Sequence, residues 1–516
     1  MSPETRQLLT ILLARAPLIA HVILKRLLGF STPSYYLTLR SELTVAILQT
    51  YNRPRADQSI TSIQRFLSHD SGVRGKIWVA KTTSPVVEAH DAVALLTTVQ
   101  GAIDALVEPG TPPLQAPHFV MPNVVPVEAE WTGFRRDATL DSTLPDISEF
   151  GKFDALMRDT TRPITILYFH GGAYCLLDPS THRPATSRLA RLTGGRVYSV
   201  RYRLAPQNPF PSALVDALVS YLNLLYPADD NDIHHEPVKP AHIVFAGDSA
   251  GGNLCLSLLQ LLLQLRRSDP KGMATVRWQG QDVPLPLPAG IALNSPWLDI
   301  TQSSPSWDDQ QVLEFDYLPP PSVLRQNQPA ACAAWPASPI RASMYCADAA
   351  LTHPLASVVA ARSWQGSPPI WMCTGWEPLA TEIRWMARKL QGDGVVGVAL
   401  EQYEAMPHCF AIVLGNTPEA RRCFHGWADF IAKVTNYDYD EEERKFTSDD
   451  QMICDMNLKQ DYLPDSRFVT IKAKTVREVD ININDLTSIG EEEMRQRVVH
   501  QAKNLVLGMK DIGAKL

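Results

Sequence analysis

A serine hydroxyl attacks a carbonyl only when a neighbouring base takes its proton, so a chain that uses one must hold it where both substrate and base can reach. Ser249, in Gly247-Asp248-Ser249-Ala250-Gly251-Gly252, has the surroundings for that. The apolar run Ile243 to Ala246 precedes it and the helical run Asn253 to Leu265 follows, so the local reading is strand, tight turn, helix. In that context the flanking glycines permit a strained turn that lifts the hydroxyl above a sheet at a helix amino terminus. A glycine-rich turn with a serine helix cap would show the same six residues, so the pattern alone does not decide.

A second constellation supports the catalytic reading. His170-Gly171-Gly172-Ala173-Tyr174 closes the apolar run Ile164 to Phe169. Glycines there let backbone N–H groups approach the oxyanion of a tetrahedral intermediate, and one such donor is worth roughly 3 kcal/mol in the transition state. Gly171, Gly172 and the Ala250 amide are the candidate oxyanion donors. His170 precedes them at a strand end and is expected to orient the loop rather than act as the base. The candidate base is His408, in Met406-Pro407-His408-Cys409-Phe410, directly after the last predicted strand. His234 and His235 lie in a polar loop, His353 in a Pro-rich stretch and His425 within a helical pattern, and none is as well placed. For the acid that orients the base, Glu377 in Gly375-Trp376-Glu377-Pro378 follows the preceding strand, giving the chain order serine, acid, histidine. Glu382 and Asp393 are the competing carboxylates.

These residues need a scaffold that brings strand ends together. Strands are expected at Val125 to Thr132, Ile164 to Phe169, Val197 to Tyr202, Ile243 to Ala246, Gly290 to Asn294, Ile370 to Thr374 and Val396 to Tyr403. Helices are expected near Ala213 to Leu225, Ala250 to Leu265, Leu379 to Leu390 and Ala420 to Val434. Short apolar runs alternating with amphipathic segments give an α/β fold, a mostly parallel, doubly wound sheet covered on both faces. The sheet is expected to begin near Val125, with residues 1–120 forming a helical cap that includes helical patterns at Leu43 to Leu48 and Ile60 to Leu67, residues 121–436 the catalytic domain, and residues 437–516 an extension beyond the acidic stretch Asp438 to Glu443. Within the catalytic domain, residues 303–350 are dense in Pro, Ser and Ala and read as an insertion or lid over the carboxyl edge of the sheet. A last helix is expected from Ser488, with Ser488 and Glu491 as a capping box and Met494, Val498, Ala502, Leu505 and Met509 as an apolar stripe.

Composition sets the outer bounds. The chain has 516 residues, 45% hydrophobic and 20% charged, which is ordinary globular chemistry with ample length for a large core. A formal net charge of −7 with scattered Lys and Arg offers no basic field for phosphates, so nucleic acid is not an expected partner. Eight cysteines without a C-x-x-C pair suggest neither a disulfide scaffold nor a metal site. No Asn-x-Ser/Thr sequon is present, which leans toward an intracellular protein. The segment Leu8 to Leu28 is apolar but interrupted by Arg15, Pro17, Lys25 and Arg26, too charged for a simple membrane span. It reads either as a cap helix on the enzyme or as an interfacial anchor for peripheral attachment to an endomembrane.

Taken in order, His170-Gly-Gly, Tyr202-Arg-Leu-Ala-Pro206, Phe210-Pro-Ser-Ala-Leu-Val-Asp216, Gly247-Asp-Ser-Ala-Gly-Gly252, Ser295-Pro-Trp-Leu-Asp299 and the Glu377 and His408 loops resemble the hormone-sensitive-lipase-like family of α/β-hydrolases over roughly residues 125–435. The resemblance implies esterase activity on small-molecule carboxylic esters, no metal or organic cofactor, and a pocket roofed by amino-terminal helices. Compared with the family, Ala173 replaces the third glycine of the oxyanion motif, Glu377 replaces the commoner Asp, and Thr381 replaces the Asp before Glu382. The family and the apolar amino-terminal region together suggest a short acyl group, such as acetyl, on a bulky lipophilic alcohol or secondary metabolite. A formamidase or amidase with the same triad is the alternative within enzymes. A ligand receptor on a hydrolase scaffold, like the plant gibberellin receptors that have lost the triad histidine, is the rival of another class, and retention of Ser249, Glu377 and His408 speaks against it.

Overall fold

Strands buried on both faces need mostly apolar residues, and the central strands here have them, with polar exceptions at their ends such as Thr165 and Asn294. In the computed structural model, which describes residues 15–52, 57–108, 114, 119–228, 233–270, 272–435 and 465–513, Thr165–Phe169 and Gly290–Asn294 are buried at all five positions. The strands, in chain order, are β1 (Ile77–Thr83), β2 (Glu128–Phe134), β3 (Thr165–Phe169), β4 (Arg196–Val200), β5 (Ile243–Asp248), β6 (Thr275–Trp278), β7 (Gln281–Pro284), β8 (Gly290–Asn294), β9 (Ile370–Thr374), β10 (Val398–Tyr403), β11 (Arg467–Ile471) and β12 (Glu478–Asp480). Ten of them make one sheet in the order β1-β2-β4-β3-β5-β8-β9-β10-β11-β12, while β6 and β7 pair as a separate hairpin. From β4 to β11 every pairing is parallel; β1 with β2, β2 with β4, and β11 with β12 are antiparallel.

Because side chains alternate across a strand, each strand feeds two cores. Leu167 and Phe169 of β3 and Phe245 of β5 join the core beneath the helices Ser212–Leu225 and Ala250–Ser268. Ile166, Tyr168, Val244 and Ala246 point the other way, to the helices Pro179–Thr193 and Pro418–Thr435. The first of these latter helices shows how its boundaries are written locally. Asp178 caps its start in a reciprocal capping box with Thr181, and Gly194 ends it at φ 72° in the left-handed region.

The sheet is wider than the sequence reading allowed. It does not begin at Val125: β1 comes from the segment read as purely helical and pairs with β2 from Ile77↔Phe134 to Thr83↔Glu128. At the other end β11 and β12, from beyond residue 437, extend it in parallel and then antiparallel fashion. The expected capping box at Ser488 does not form, since the last helix starts at Glu491; of the expected stripe Met494, Val498 and Ala502 are buried, Leu505 is half-buried, and the Met509 side chain lies outside the described residues. The acidic stretch Asp438 to Glu443 and the Pro-rich positions 109–113 and 115–117 lie outside the described residues.

The amino-terminal helices reach the carboxyl end of the sheet. Helix Ala16–Leu27 is tied to helix Leu39–Tyr51 by the Arg26–Glu42 ion pair at 2.6 Å. From the second of these helices, the Gln49 amide donates to the carbonyl oxygens of Leu313 (3.4 Å) and Asp316 (2.8 Å), in the 303–350 segment. The ring of Tyr36 packs edge-on against Phe315 and Trp376, with centroids 5.7 and 5.2 Å apart. Among the described residues no helix is long and apolar enough to cross a membrane.

Candidate active site

Ser249 sits between the end of β5 and the helix Ala250–Ser268 with φ 51° and ψ −120°, a backbone conformation that costs a non-glycine residue energy. The surroundings enforce it. A Cβ on Gly251 would lie 1.9 Å from the carbonyl oxygen of Phe169 at the end of β3, and one on Gly247 would lie 2.6 Å from the same atom, so the turn is pressed against the neighbouring strand. The Ser249 N–H donates to the Asn294 carbonyl at 3.1 Å, and its own carbonyl accepts the Trp297 N–H at 2.9 Å. The hydroxyl is not used to cap the helix, which removes the bland reading of the motif. The residue stays half-buried.

His408, on the loop after β10, is buried, and its Nδ1 lies 2.5 Å from Glu377 Oε2. Glu377 is wholly buried on the loop after β9, and its other oxygen accepts from Ser295 Oγ (2.8 Å), Thr374 Oγ1 (2.8 Å) and the Gly375 N–H (2.9 Å). Burial pushes the Glu377 carboxyl up, but the facing imidazole and these donors outweigh it and hold the group below its ordinary value. For His408 burial works downward and the Glu377 carboxylate upward; with further help from Asp316 and Asp248 the balance lies above the ordinary imidazole value. The two loops are clamped together, since the Trp376 N–H donates to the Met406 carbonyl at 2.8 Å and a Cβ on Gly375 would collide with that oxygen at 1.9 Å. The turn after His408 packs on the residue preceding Ser249, with Cys409 Sγ 3.8 Å from Asp248 Oδ2.

The competing residues are occupied elsewhere. Glu382 accepts the N–H groups of Leu298 and Asp299, and Asp393 pairs with Lys389 at 2.7 Å. His235 packs on Trp131, and His353 reaches the Ile103 carbonyl.

The loop after β3 needs one correction. The Gly171 N–H donates to Asp248 Oδ1 at 3.2 Å, which removes it from the donors open to a substrate oxyanion. His170, fully buried and stacked on Tyr202 with centroids 4.3 Å apart, uses Nδ1–H to hold the Gly171 carbonyl at 2.7 Å. In a trans peptide the N–H points opposite the carbonyl, so fixing the Gly171 carbonyl aims the Gly172 N–H away from His170. Burial first, then His182, depresses the His170 imidazole to about 3, so it stays neutral. Among the described residues the amides of Gly172, Ala173 and Ala250 have no hydrogen-bond partner. Only glycine fits at 172, where φ is 109° and a Cβ would meet the Leu176 carbonyl at 2.2 Å.

One neighbour was not foreseen. Asp316, from the 303–350 segment, accepts the His408 backbone N–H on Oδ2 at 2.5 Å and the Leu318 N–H on Oδ1 at 2.7 Å. Nothing in the Pro-rich sequence around it distinguished this carboxylate from surface acids.

Comparison with known proteins agrees with this architecture. Residues 166–412 match the family model described as alpha/beta hydrolase fold. An acetyl-hydrolase of Streptomyces hygroscopicus is 28% identical over 271 residues, covering 52% of this chain and 76% of that protein. Lipase 2 of a Moraxella species is 34% identical over 164 residues, 29% of this chain and 36% of the lipase. Hormone-sensitive lipase of Mus musculus is 33% identical over 93 residues, 18% of this chain and 12% of the lipase. The strained serine turn after β5 and the buried carboxylate–imidazole pair both lie in the matched stretch, which is just under half of the chain: residues 166–412 have the alpha/beta hydrolase fold, and the chain is similar to carboxylic ester hydrolases that include a hormone-sensitive lipase.

Proposed function

We propose that this carboxylic ester hydrolase works by two-step acyl transfer, with Ser249 as nucleophile, His408 as general base and Glu377 as the carboxylate that orients it. The observation that carries the reading is the 2.5 Å contact between Glu377 and His408 Nδ1, which leaves Nε2 as the basic atom; Nε2 lies 3.4 Å from Cys409 Sγ, which in turn approaches Asp248, the residue before Ser249. His408 takes the hydroxyl proton as Ser249 attacks the ester carbonyl, then delivers it to the leaving alcohol, and water repeats the sequence on the acyl-enzyme. The amides of Gly172, Ala173 and Ala250 are the donors that suit the oxyanion, in place of Gly171. The groups named supply every proton transfer, so the reaction asks for no cofactor.

Short acyl groups on a bulky lipophilic alcohol fit this reading best. The acetyl-hydrolase similarity supports the acyl half. Nitrophenyl esters of increasing chain length, tested with the parent and Ser249→Ala and checked by fluorophosphonate labelling, examine both points. The parent should turn over acetate faster than long-chain esters, and the variant should lose at least a thousandfold in kcat. Undiminished turnover by Ser249→Ala would remove the nucleophile, and a preference for long chains would remove the substrate class. An amidase using the same groups would show itself as faster release of amine from matched anilides.

Peripheral membrane attachment is supported by helix Ala16–Leu27, which is apolar on two sides but buried on one. Val22 faces inward, while Leu24, Leu27, Leu28 and Phe30 are exposed, with Lys25 among them. Replacing the three leucines by serine should cut the fraction that floats with vesicles containing anionic lipid at least severalfold. Equal flotation of the two proteins would assign the attachment elsewhere or nowhere.

A further inference from the structure

We infer that Asp316 is a positioning residue of the reaction, a second carboxylate that fixes the backbone of His408 and stabilises its imidazolium, delivered to the site by the 303–350 insertion. The inference rests on His408 being the base.

Three observations carry it. The first is contact: Asp316 is 1% exposed and takes the His408 N–H at 2.5 Å, while its other oxygen takes the Leu318 N–H. Both oxygens therefore have a backbone donor, and the carboxylate joins the insertion to the loop after β10. The second is charge. A buried carboxylate is costly unless a cation compensates it. Among the described residues no lysine or arginine pairs with Asp316, and the positive charge it faces is His408 when protonated. That imidazolium is absent in the resting base and forms as Ser249 attacks, so the stabilisation is larger in the transition state than in the ground state, which is the condition for catalysis. The third is support from outside the catalytic loops. Gln49, on the amino-terminal helix Leu39–Tyr51, holds the Asp316 carbonyl at 2.8 Å, and the neighbouring Tyr317 ring lies 6.1 Å from that of His408.

The electrostatic surroundings couple the two groups, because an Asp316 carboxyl raised into the neutral range holds its charge best when the imidazole beside it is protonated. Burial, with His408 opposing and the Glu377 carboxylate adding, pushes the Asp316 carboxyl up to about 7. Groups facing the imidazole are Glu377 on Nδ1, Asp316 at the backbone, Asp248 beneath, and the Cys409 thiol 3.4 Å from Nε2, which burial keeps protonated. Asp316 is the member of this set that comes from the insertion.

The test is the pH profile of kcat/KM for Asp316→Asn and Asp316→Glu, with each preparation normalised to fluorophosphonate-labelled sites. Removing the charge in Asp316→Asn should lower the stability of the imidazolium, so the acid limb moves to lower pH by about half a unit or more, and kcat per labelled site falls about tenfold or more with little change in KM. Asp316→Glu keeps the charge and should leave the limb near the parent's position. A limb unmoved in Asp316→Asn at unchanged kcat per site overturns the inference, as does equal loss in both variants with no movement of the limb, which is the signature of a structural part. Should Asp316→Asn not fold, Asp316→Ser carries the same comparison, and failure of all three variants to fold would also make the residue structural. If instead the parent shows no turnover that depends on Ser249, the proposed triad itself has failed, a result separate from any of these.

Discussion

At the scale of single residues, the contact between Glu377 and His408 sets the most direct expectations. Glu377→Gln keeps the shape but removes the charge and presents an amide that cannot hold the imidazole in the productive tautomer. The kcat of this variant should drop by about 10³–10⁴-fold, with fluorophosphonate labelling slowed in parallel and the fold retained; a loss below tenfold would place the orienting acid elsewhere. In the parent, His408 must be neutral to act and its pKa is raised, so kcat/KM should decline as pH falls with a midpoint above the ordinary imidazole value of about 6.5. The position of Ser249, Glu377 and His408 after the ends of β5, β9 and β10 was legible in the sequence because each follows an apolar run that reads as a strand, and strand ends of a parallel sheet lie on one side. The direction of one N–H was not legible. Gly171 and Gly172 are indistinguishable as letters, and only the Asp248 carboxylate, 77 positions away, decides that the first donates inward. Asp316 was hidden for the same reason, since its partner lies 92 positions along the chain.

Elements were readable where they are buried on both faces or strongly amphipathic. The strands β8 and β9 fall at the expected bounds, and the helices Ser212–Leu225 and Pro418–Thr435 differ from expectation by one or two residues at an end. The strands β1, β11 and β12 escaped because they are peripheral: Arg467–Ile471 and Glu478–Asp480 mix charged with β-branched residues, and β12 is exposed throughout. Such strands owe their form to the partner beside them more than to their own pattern. Helix boundaries, by contrast, have a local chemistry that can be measured. Asp178 holds the Ser180 N–H at 2.9 Å, joins Thr181 in the capping box and pairs with Arg201, all while 3% exposed. Asp178→Ala should therefore cost about 1–2 kcal/mol in chemical denaturation, and because the helix it starts carries His182, which contacts Asp248 at 3.3 Å, activity should fall as well. Unchanged stability would show that the Arg201 pair and the cap contribute nothing net.

At the scale of the whole molecule, the catalytic machinery is assembled from the middle of the chain but enclosed by its ends. The amino-terminal region supplies β1, the Tyr36 ring against Trp376 and the Gln49 amide on Asp316, while the carboxy-terminal region supplies two strands and a helix with a buried Met494, Val498 and Ala502 stripe. The matched stretch 166–412 contains none of these. The outer strands also finish the sheet chemically. On one side the Lys81 N–H of β1 is occupied by the Glu149 carboxylate at 2.6 Å. On the other, β12 is three residues long, and its Glu478 pairs with Arg422 and Arg467. An open row of backbone donors and acceptors is a template for another chain, and short, charged or covered margins are how folded proteins avoid becoming one. Cutting the chain back to the matched stretch 166–412 would strip both margins, take β2 with them and bare β4 and β10; with two open strand edges the shortened chain should precipitate more readily than the full one in a turbidity assay, the expected result if the ends serve as margins against self-pairing.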